Sequence, residues 1–160
     1  MRLGIISDTH GALSAAVHDV FSQVDRIVHA GDIGGDDIII ELETIAPVTA
    51  VYGNTDGLDL RNRLPRVATF ELNGLYFTIT HGDQFGRPTP PVLCNRFPEA
   101  DVLIYGHTHE PLLELVDKTK TVMNPGSASH PRGDGPPSVG IMETEAGLPP
   151  RARLVPLIRS

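Results

Sequence analysis

A single cysteine, Cys94, is all the thiol chemistry in this chain. It has no internal partner, which excludes a disulfide-stapled scaffold and a structural zinc site built on thiolates, and it fits a reducing compartment, the cytoplasm. Cys94 itself reads as a small, half-buried hydrophobe. Positive charge is scarce as well: Lys and Arg number 13 against 20 Asp and Glu, for a formal net charge of −7. That balance argues against general nucleic-acid binding and against an anionic membrane surface, both of which are gripped by clustered basic residues. A small phosphate-bearing substrate would then need local positive charge, such as a bound metal. No apolar run approaches the ~20 residues of a membrane span. The opening "MRLGIISDTHG" has too short an apolar core for a secretory signal. Low-complexity segments and internal repeats are missing too. What remains is 160 residues with 40% hydrophobic content, enough for one compact domain over 1–160.

The first half alternates apolar runs with stretches of helical spacing. "LGIIS" (3–7) reads as a buried strand, and "ALSAAVHDVFSQV" (12–24) places Val17, Val20, Phe21 and Val24 on one helical face. "RIVHA" (26–30), "DDIIIELETI" (36–45) and "VTAVY" (48–52) repeat the pattern. Such alternation implies βαβ units and a parallel sheet covered on both faces. After residue 65 the pattern changes. "RVATFELNGLYFTITHG" holds two alternating runs joined by Asn73-Gly74, a strong hairpin signal, and "LLELVDKTKTVMNPG" (112–126) turns again near Asp117 and Lys118. "PSVGIMETEAGLPPRARLVPL" adds another strand pair. The expectation is two mixed sheets packed face to face with helices outside. "RPTPP" (87–91) and "GDGPP" (133–137) read as surface loops.

The chemistry lies just past the end of each apolar run. "LGIIS" ends in Asp8-Thr9-His10, "RIVHA" in Gly31-Asp32, and "VTAVY" in Gly53-Asn54-Thr55-Asp56. "YFTIT" ends in His81-Gly82, and "DVLIY" in Gly106-His107-Thr108-His109. In α/β sheets the C-terminal strand edge is where ligands bind. Carboxylate oxygen, imidazole nitrogen and amide oxygen form a ligand set suited to Mn, Fe, Ni, Co or Zn. Residues at i and i+2 project to one side if the backbone stays extended, so Asp8 with His10 and His107 with His109 each point to a shared cluster. Each motif alone has a plainer reading. Asp8 or Thr9 would cap a helix beginning near Ala12, and Asn54 and Asp56 are turn formers. The joint occurrence at successive strand ends favours a metal centre. His18 reads as a surface residue and His29 as a core residue or a support for a ligand, while His130 stays open.

In this order, Asp-x-His, Gly-Asp, Gly-Asn-x-Asp, His-Gly and Gly-His-x-His resemble the calcineurin-like metallophosphoesterase superfamily. The short length, "GNTD", and "NPGS" (124–127) followed by Pro131-Arg132 make the chain most similar to its small bacterial and archaeal phosphodiesterase branch. The resemblance runs from Asp8 to about Arg132 and implies a four-layer α/β/β/α sandwich of two mixed β-sheets. It also implies two divalent metal ions, most commonly Mn²⁺, with Ni²⁺, Fe, Co²⁺ and Zn²⁺ as alternatives. Carried over by position, Asp8, His10 and His109 hold one ion; Asn54, His81 and His107 hold the other, and Asp32 bridges them. Asp32, Asn54 and His81 then carry catalysis by orienting a metal-bridging hydroxide and the phosphate.

Two departures stand out. Many members have His directly after the Asn of the third motif, where this chain has Thr55, which is no proton donor at neutral pH. After His81-Gly82, where several relatives have another His, stands Asp83. The implied activity is hydrolysis of a small phosphoester, a diester or an activated ester, by a two-metal mechanism with ions ~3.5 to 4 Å apart. A homo-oligomer is compatible with the sequence. The competing expectation is a protein-binding scaffold of the same fold, as in the small retromer subunit, which also lacks that His.

Overall fold

Aliphatic and β-branched runs dominate the two central strands of the first sheet, and their residues are sealed on both faces. In β1 (Arg2–Ile6) and β2 (Arg26–His29), Leu3, Ile5, Ile6, Ile27 and Val28 have no exposed surface. The computed structural model describes residues 1–158. β1 and β2 pair in parallel, and β3 (Val48–Ala50) extends the parallel set beside β2. On the other side of β1 lie β9 (Ser138–Glu143) and β10 (Arg151–Pro156), both antiparallel to their neighbours, for the order β10-β9-β1-β2-β3. The second sheet has the order β4-β5-β6-β8-β7. Its strands are β4 (Val67–Leu72), β5 (Leu75–Thr80), β6 (Val102–Ile104), β7 (Leu112–Val116) and β8 (Lys120–Asn124). Both sheets are mixed: β5, β6 and β8 run parallel, flanked by the β4–β5 and β7–β8 hairpins.

Three apolar clusters make four layers. Leu3, Ile5 and Val28 face Phe77, Ile79 and Ile104 between the sheets. On the outer side of the first sheet, Ile6 and Ile27 pack against Val17 of α1 (Ala15–Val20), Ile38 and Leu42 of α2 (Asp36–Glu43) and Leu60 of α3 (Leu58–Arg63). Outside the second sheet, Leu103, Tyr105 and Val122 cover Leu93 of α4 (Pro90–Arg96). Burial of this kind, at roughly 25 cal/mol per Å² of apolar surface, is what holds the layers together.

The structure trims several expectations. The helix expected over 12–24 is only Ala15–Val20: it starts late because residues 9–12 are held elsewhere, and residues 21–23 form a turn. The Thr9 hydroxyl donates to the Ile33 carbonyl at 2.7 Å, and the Ala12 amide closes a turn onto Thr9. Neither Asp8 nor Thr9 caps the helix; Ser14 holds that position. The segment "RPTPP" is not wholly loop. Thr89 caps α4, accepting from the Val92 amide, and Pro90 opens it, where a missing N–H and a preset φ cost nothing. The hairpins do turn at Asn73-Gly74 and at Asp117-Lys118.

Candidate metal centre

The loops after β1, β2, β3, β5 and β6 meet at one edge of the sandwich. Backbone bonds stitch them: Asp8 N–H to Gly31 O at 3.0 Å, His10 N–H to Asp32 O at 3.0 Å and Gly106 N–H to His81 O at 3.1 Å. The approach is close enough to exclude side chains. A Cβ on Gly53 would collide with Asp32 Oδ1; one on Gly106 would collide with Ser7 Oγ and lie only 2.7 Å from Asp8 Oδ2.

Two groups of ligand atoms result, Asp8/His10/His109 and Asp32/His81/His107, each lying within 4.8 Å of one another. In the first, Asp8 Oδ1 is 3.2 Å from His109 Nε2 and 3.7 Å from His10 Nε2, and the two nitrogens are 3.2 Å apart. In the second, His81 Nε2 is 3.2 Å from Asp32 Oδ2 and 3.1 Å from Asn54 Oδ1, which brings Asn54 to this group. Asp32 Oδ2 lies 3.8 Å from His10 Nε2, so its carboxylate stands between the groups. The i, i+2 pairs share a side if the backbone is extended; here it is not. Asp8, His10, Asp32, His107 and His109 all have φ between 47° and 74°, in the left-handed region that L residues rarely adopt. His107 and His109 fall in different groups, whereas Asp8 and His10, with φ of the same sign, share one.

Whether these residues suit a cation is decided by three observations. Asp8 is fully buried, and its Oδ1 has no hydrogen-bond partner among the described residues, although Ser7 Oγ–H and the His107 amide satisfy Oδ2. A buried, unpaired carboxylate oxygen is costly unless something positive meets it. The second observation is tautomeric: His81 Nδ1 donates to Ala30 O at 2.8 Å, and His109 Nδ1 donates to His130 O at 2.6 Å. In the neutral ring each Nε2 is then a bare lone pair facing the cluster, the usual way a carbonyl fixes a metal-binding imidazole. The third is the donor set itself, oxygen and imidazole nitrogen without thiolate, which suits a borderline divalent ion.

Electrostatics agree. Burial works against ionising Asp8, but His10 and His109 beside it, the charge of His81 and the Ser7 hydroxyl hold its carboxyl well below the usual range. Asp32 is also held low despite its burial, by His81 and by the Thr55 amide, which donates to Oδ1 at 2.9 Å. Burial would lower His81, yet its hydrogen bond to Asp32 and the charges of Asp8 and Asp32 raise it to about 8. The Asp8 carboxylate beside it raises His109, whereas burial and the nearby His81 lower His107.

Around these ligands lies a brace, of which the sequence indicates His29 as a core residue or support and "NPGS" as a motif, but not their contacts. His29 is wholly buried; its Nδ1 accepts from the Gly31 amide and its Nε2 donates to Thr9 Oγ1 at 3.0 Å, tying the first two loops together. Desolvation keeps this ring neutral and pushes it down to about 4. "NPGS" supplies the far side. Asn124 Nδ2 donates to Gly106 O and Thr108 Oγ1, and Ser127 Oγ donates to Asp8 O at 2.7 Å. Arg61 donates to the carbonyls of Asn54 and Asp56 at 2.7 Å each, clamping the Gly-Asn-Thr-Asp turn. His130, left open by the sequence, lies at the rim with its ring 5.6 Å from that of His10. His18 is a surface residue paired with Glu41. Asp83 points away from ligand duty, bonded to Arg66 at 3.0 Å.

Comparison with known proteins agrees with this architecture. The sequence model of the calcineurin-like phosphoesterase superfamily domain matches residues 1–147. A probable metallophosphoesterase of Methanothermobacter thermautotrophicus is 41% identical over 143 residues, covering 82% of this chain and 80% of that protein. The phosphodiesterase YfcE of Escherichia coli K12 is 32% identical, covering 91% of this chain and 89% of its own. The chain belongs to the calcineurin-like phosphoesterase superfamily. Among solved structures, zinc-complexed Vps29 from Entamoeba histolytica superposes with a TM-score of 0.81, covering 99% of this chain and 100% of that one. At 22% identity, this likeness speaks for the fold alone.

Proposed function

We propose that the chain is a metal-dependent phosphodiesterase whose single domain, residues 1–160, holds two divalent ions at the ligand groups described above, Mn²⁺ first among the candidates. The observation that carries this reading is the convergence of Asp8, His10 and His109 beside Asp32, His81 and His107, with the buried Oδ1 of Asp8 unpaired between the imidazoles. Asp8, His10 and His109 would hold one ion and Asn54, His81 and His107 the other, with Asp32 shared. The ions, when bound, would acidify water, polarise a phosphoryl oxygen and give this acidic chain a local positive field. The chain's own residues do the rest. Asp32 is fixed by the Thr55 amide on Oδ1, which leaves Oδ2 for the centre. Asn54 turns Oδ1 toward His81, so its amide N–H₂ group is free to donate to a phosphate oxygen. Thr55 offers no acid for the departing oxygen, so diesters and aryl esters with good leaving groups are favoured over alkyl monoesters. The lone, half-buried Cys94 supports placement in the reducing cytoplasm.

The test is turnover of bis-p-nitrophenyl phosphate against alkyl monoesters, on chelator-treated protein with and without Mn²⁺. Metal-restored hydrolysis of the diester is expected; absence of metal-dependent turnover with every phosphoester would sink the proposal. The scaffold alternative is separated by Asp32→Ala and His81→Ala variants, since partner binding by a scaffold would survive both.

A further inference from the structure

Beside the ligand cluster a groove of about 410 Å³ runs between the loop leading into α2 and the turn leading into α3. Its walls include Gly34, Gly35, Thr55, Gly57, Leu58 and Leu60. Continuity with the centre comes through Thr55, which lines the groove while its amide holds the Asp32 carboxylate at 2.9 Å. The walls are stiff. Asp56 is buried and takes amide bonds from Gly34 and Gly53, at 3.0 and 2.8 Å, joining the two sides, and Arg61 fixes the carbonyls above it.

Three features define what the groove would accept. Leu58 stands 76% exposed beside it, an apolar surface that folding does not use. The charged groups lining it, Asp36, Asp56 and Asp59, are all acidic; Asp36 is paired with Arg63 and Asp56 with the Gly34 and Gly53 amides, which leaves Asp59 to repel an anion. At Gly57, a Cβ would meet nothing within 4 Å, so the missing side chain keeps the groove open. Resting on the phosphoesterase reading above, we propose that this groove seats the organic group of the phosphoester, and that this group is apolar and carries no negative charge. A second phosphate or a carboxylate on that group would meet the acidic walls. A ring laid on Leu58 would gain affinity by removing apolar surface from water.

Phosphonates, which the enzyme cannot hydrolyse at the P–C bond, test this with one organic group each. The Mn²⁺-loaded full chain is titrated calorimetrically with methylphosphonate, phenylphosphonate and 4-carboxyphenylphosphonate. Phenylphosphonate is expected to bind roughly tenfold tighter than methylphosphonate, a gain in line with partial burial of one ring. The 4-carboxy compound should lose that gain. Gly57→Leu should fold, because φ is −78° and the space is open, and it should bring phenylphosphonate down to the methyl level without changing methylphosphonate. Leu58→Ser, at an exposed position, should reduce the same gain, and amide NMR shifts at Gly57 and Leu58 should follow the phenyl compound alone. Equal binding of phenyl and methyl compounds, an undiminished gain in Gly57→Leu, or full acceptance of the carboxylate overturns the groove assignment. Failure of methylphosphonate itself to bind overturns instead the phosphate-site reading beneath it.

Discussion

Left-handed backbone serves two different ends in this molecule. Among the described residues, eight that are not glycine have φ between 47° and 74°. Asn73, Asp117 and Lys118 sit in the turns of the β4–β5 and β7–β8 hairpins; Asp8, His10, Asp32, His107 and His109 sit at the candidate metal centre. In the hairpins the conformation does local work: it matches the twist of two antiparallel strands, and Asn and Asp tolerate it well. At the centre it aims charged and basic side chains inward, two of them buried carboxylates, at sites where three histidines also bear strain. No strand twist asks for that. The cost of each such residue, about 1 to 3 kcal/mol, is offset by the surrounding brace of Ser127, Asn124, His29 and Arg61. The hairpins are thus replaceable in detail, and the centre is not.

The sharpest way to break this contrast is to remove the carboxylate between the two ligand groups. Asp32→Ala should lower kcat/KM for an aryl phosphodiester by about 10³-fold or more and weaken both ions, judged by turnover and metal titration. Retention of either property would mean that Asp32 is not shared. Next in size are His81→Ala and His109→Ala. Each should lose a different ion first, with affinity at that half falling at least about 100-fold while the other half retains its own. Metal analysis after dialysis reads the outcome as a drop from two ions to one in each variant; a joint loss of both would show a single cooperative cluster.

Smaller, but more telling about the strained region, is the pH dependence of the metal-free protein. His81 is raised to about 8 when folded, above the roughly 6.5 of a free imidazole. Its protonated pairing with Asp32 therefore contributes stability that is complete below 6.5 and lost as pH rises through 8. His29 has the opposite sign. Buried and lowered to about 4, it contributes stability that is present above 6.5 and lost as pH falls toward 4. Thermal melts of chelated protein should fall on both flanks. His81→Gln should flatten the alkaline flank, and Mn²⁺ should reverse it, because a ligating imidazole must be neutral. An alkaline flank that survives in His81→Gln would assign that loss elsewhere.

Much of this is legible in the order of the residues alone. The apolar runs mark the strands because a parallel strand buried on both faces reads as unbroken hydrophobics, and Asn73-Gly74 marks its hairpin by turn chemistry. The seven expected ligands can be picked out because chemistry-bearing residues close one strand after another, and the structure brings those positions to one place. The manner of their convergence is not legible. An i, i+2 pair suggests an extended backbone, whereas the left-handed φ at Asp8, His10, His107 and His109 depends on contacts from distant loops. The contacts of the brace are hidden for the same reason: Ser127 meets the carbonyl of Asp8 across 119 positions, and no local pattern announces that. Helix α1 starts late because Thr9 is drawn to Ile33 and His29, a tertiary pull that outweighs the helical periodicity at that end. Helix α4 is obscured by its prolines, which signal a loop yet suit the first turn of a helix.

The smallest expected effect tests the contrast from the hairpin side. Lys118 is exposed, has φ of 62° and turns β7 into β8 at the end of β7 away from His109. Lys118→Gly relieves the left-handed strain, which costs an ordinary residue about 1 to 2 kcal/mol. It also gives the unfolded chain more freedom, which costs roughly 0.5 to 1 kcal/mol. The difference is a gain between zero and about 1.5 kcal/mol, which in a chain of this length moves Tm upward by no more than about 6 °C. Metal affinity and phosphodiester turnover should stay at their original values. A measured change in either would couple the hairpin to the centre and dissolve the distinction. If both hold while stability rises, strain in the turn is dispensable, and its persistence at Asp8, His10, Asp32, His107 and His109 is explained by what those side chains must reach.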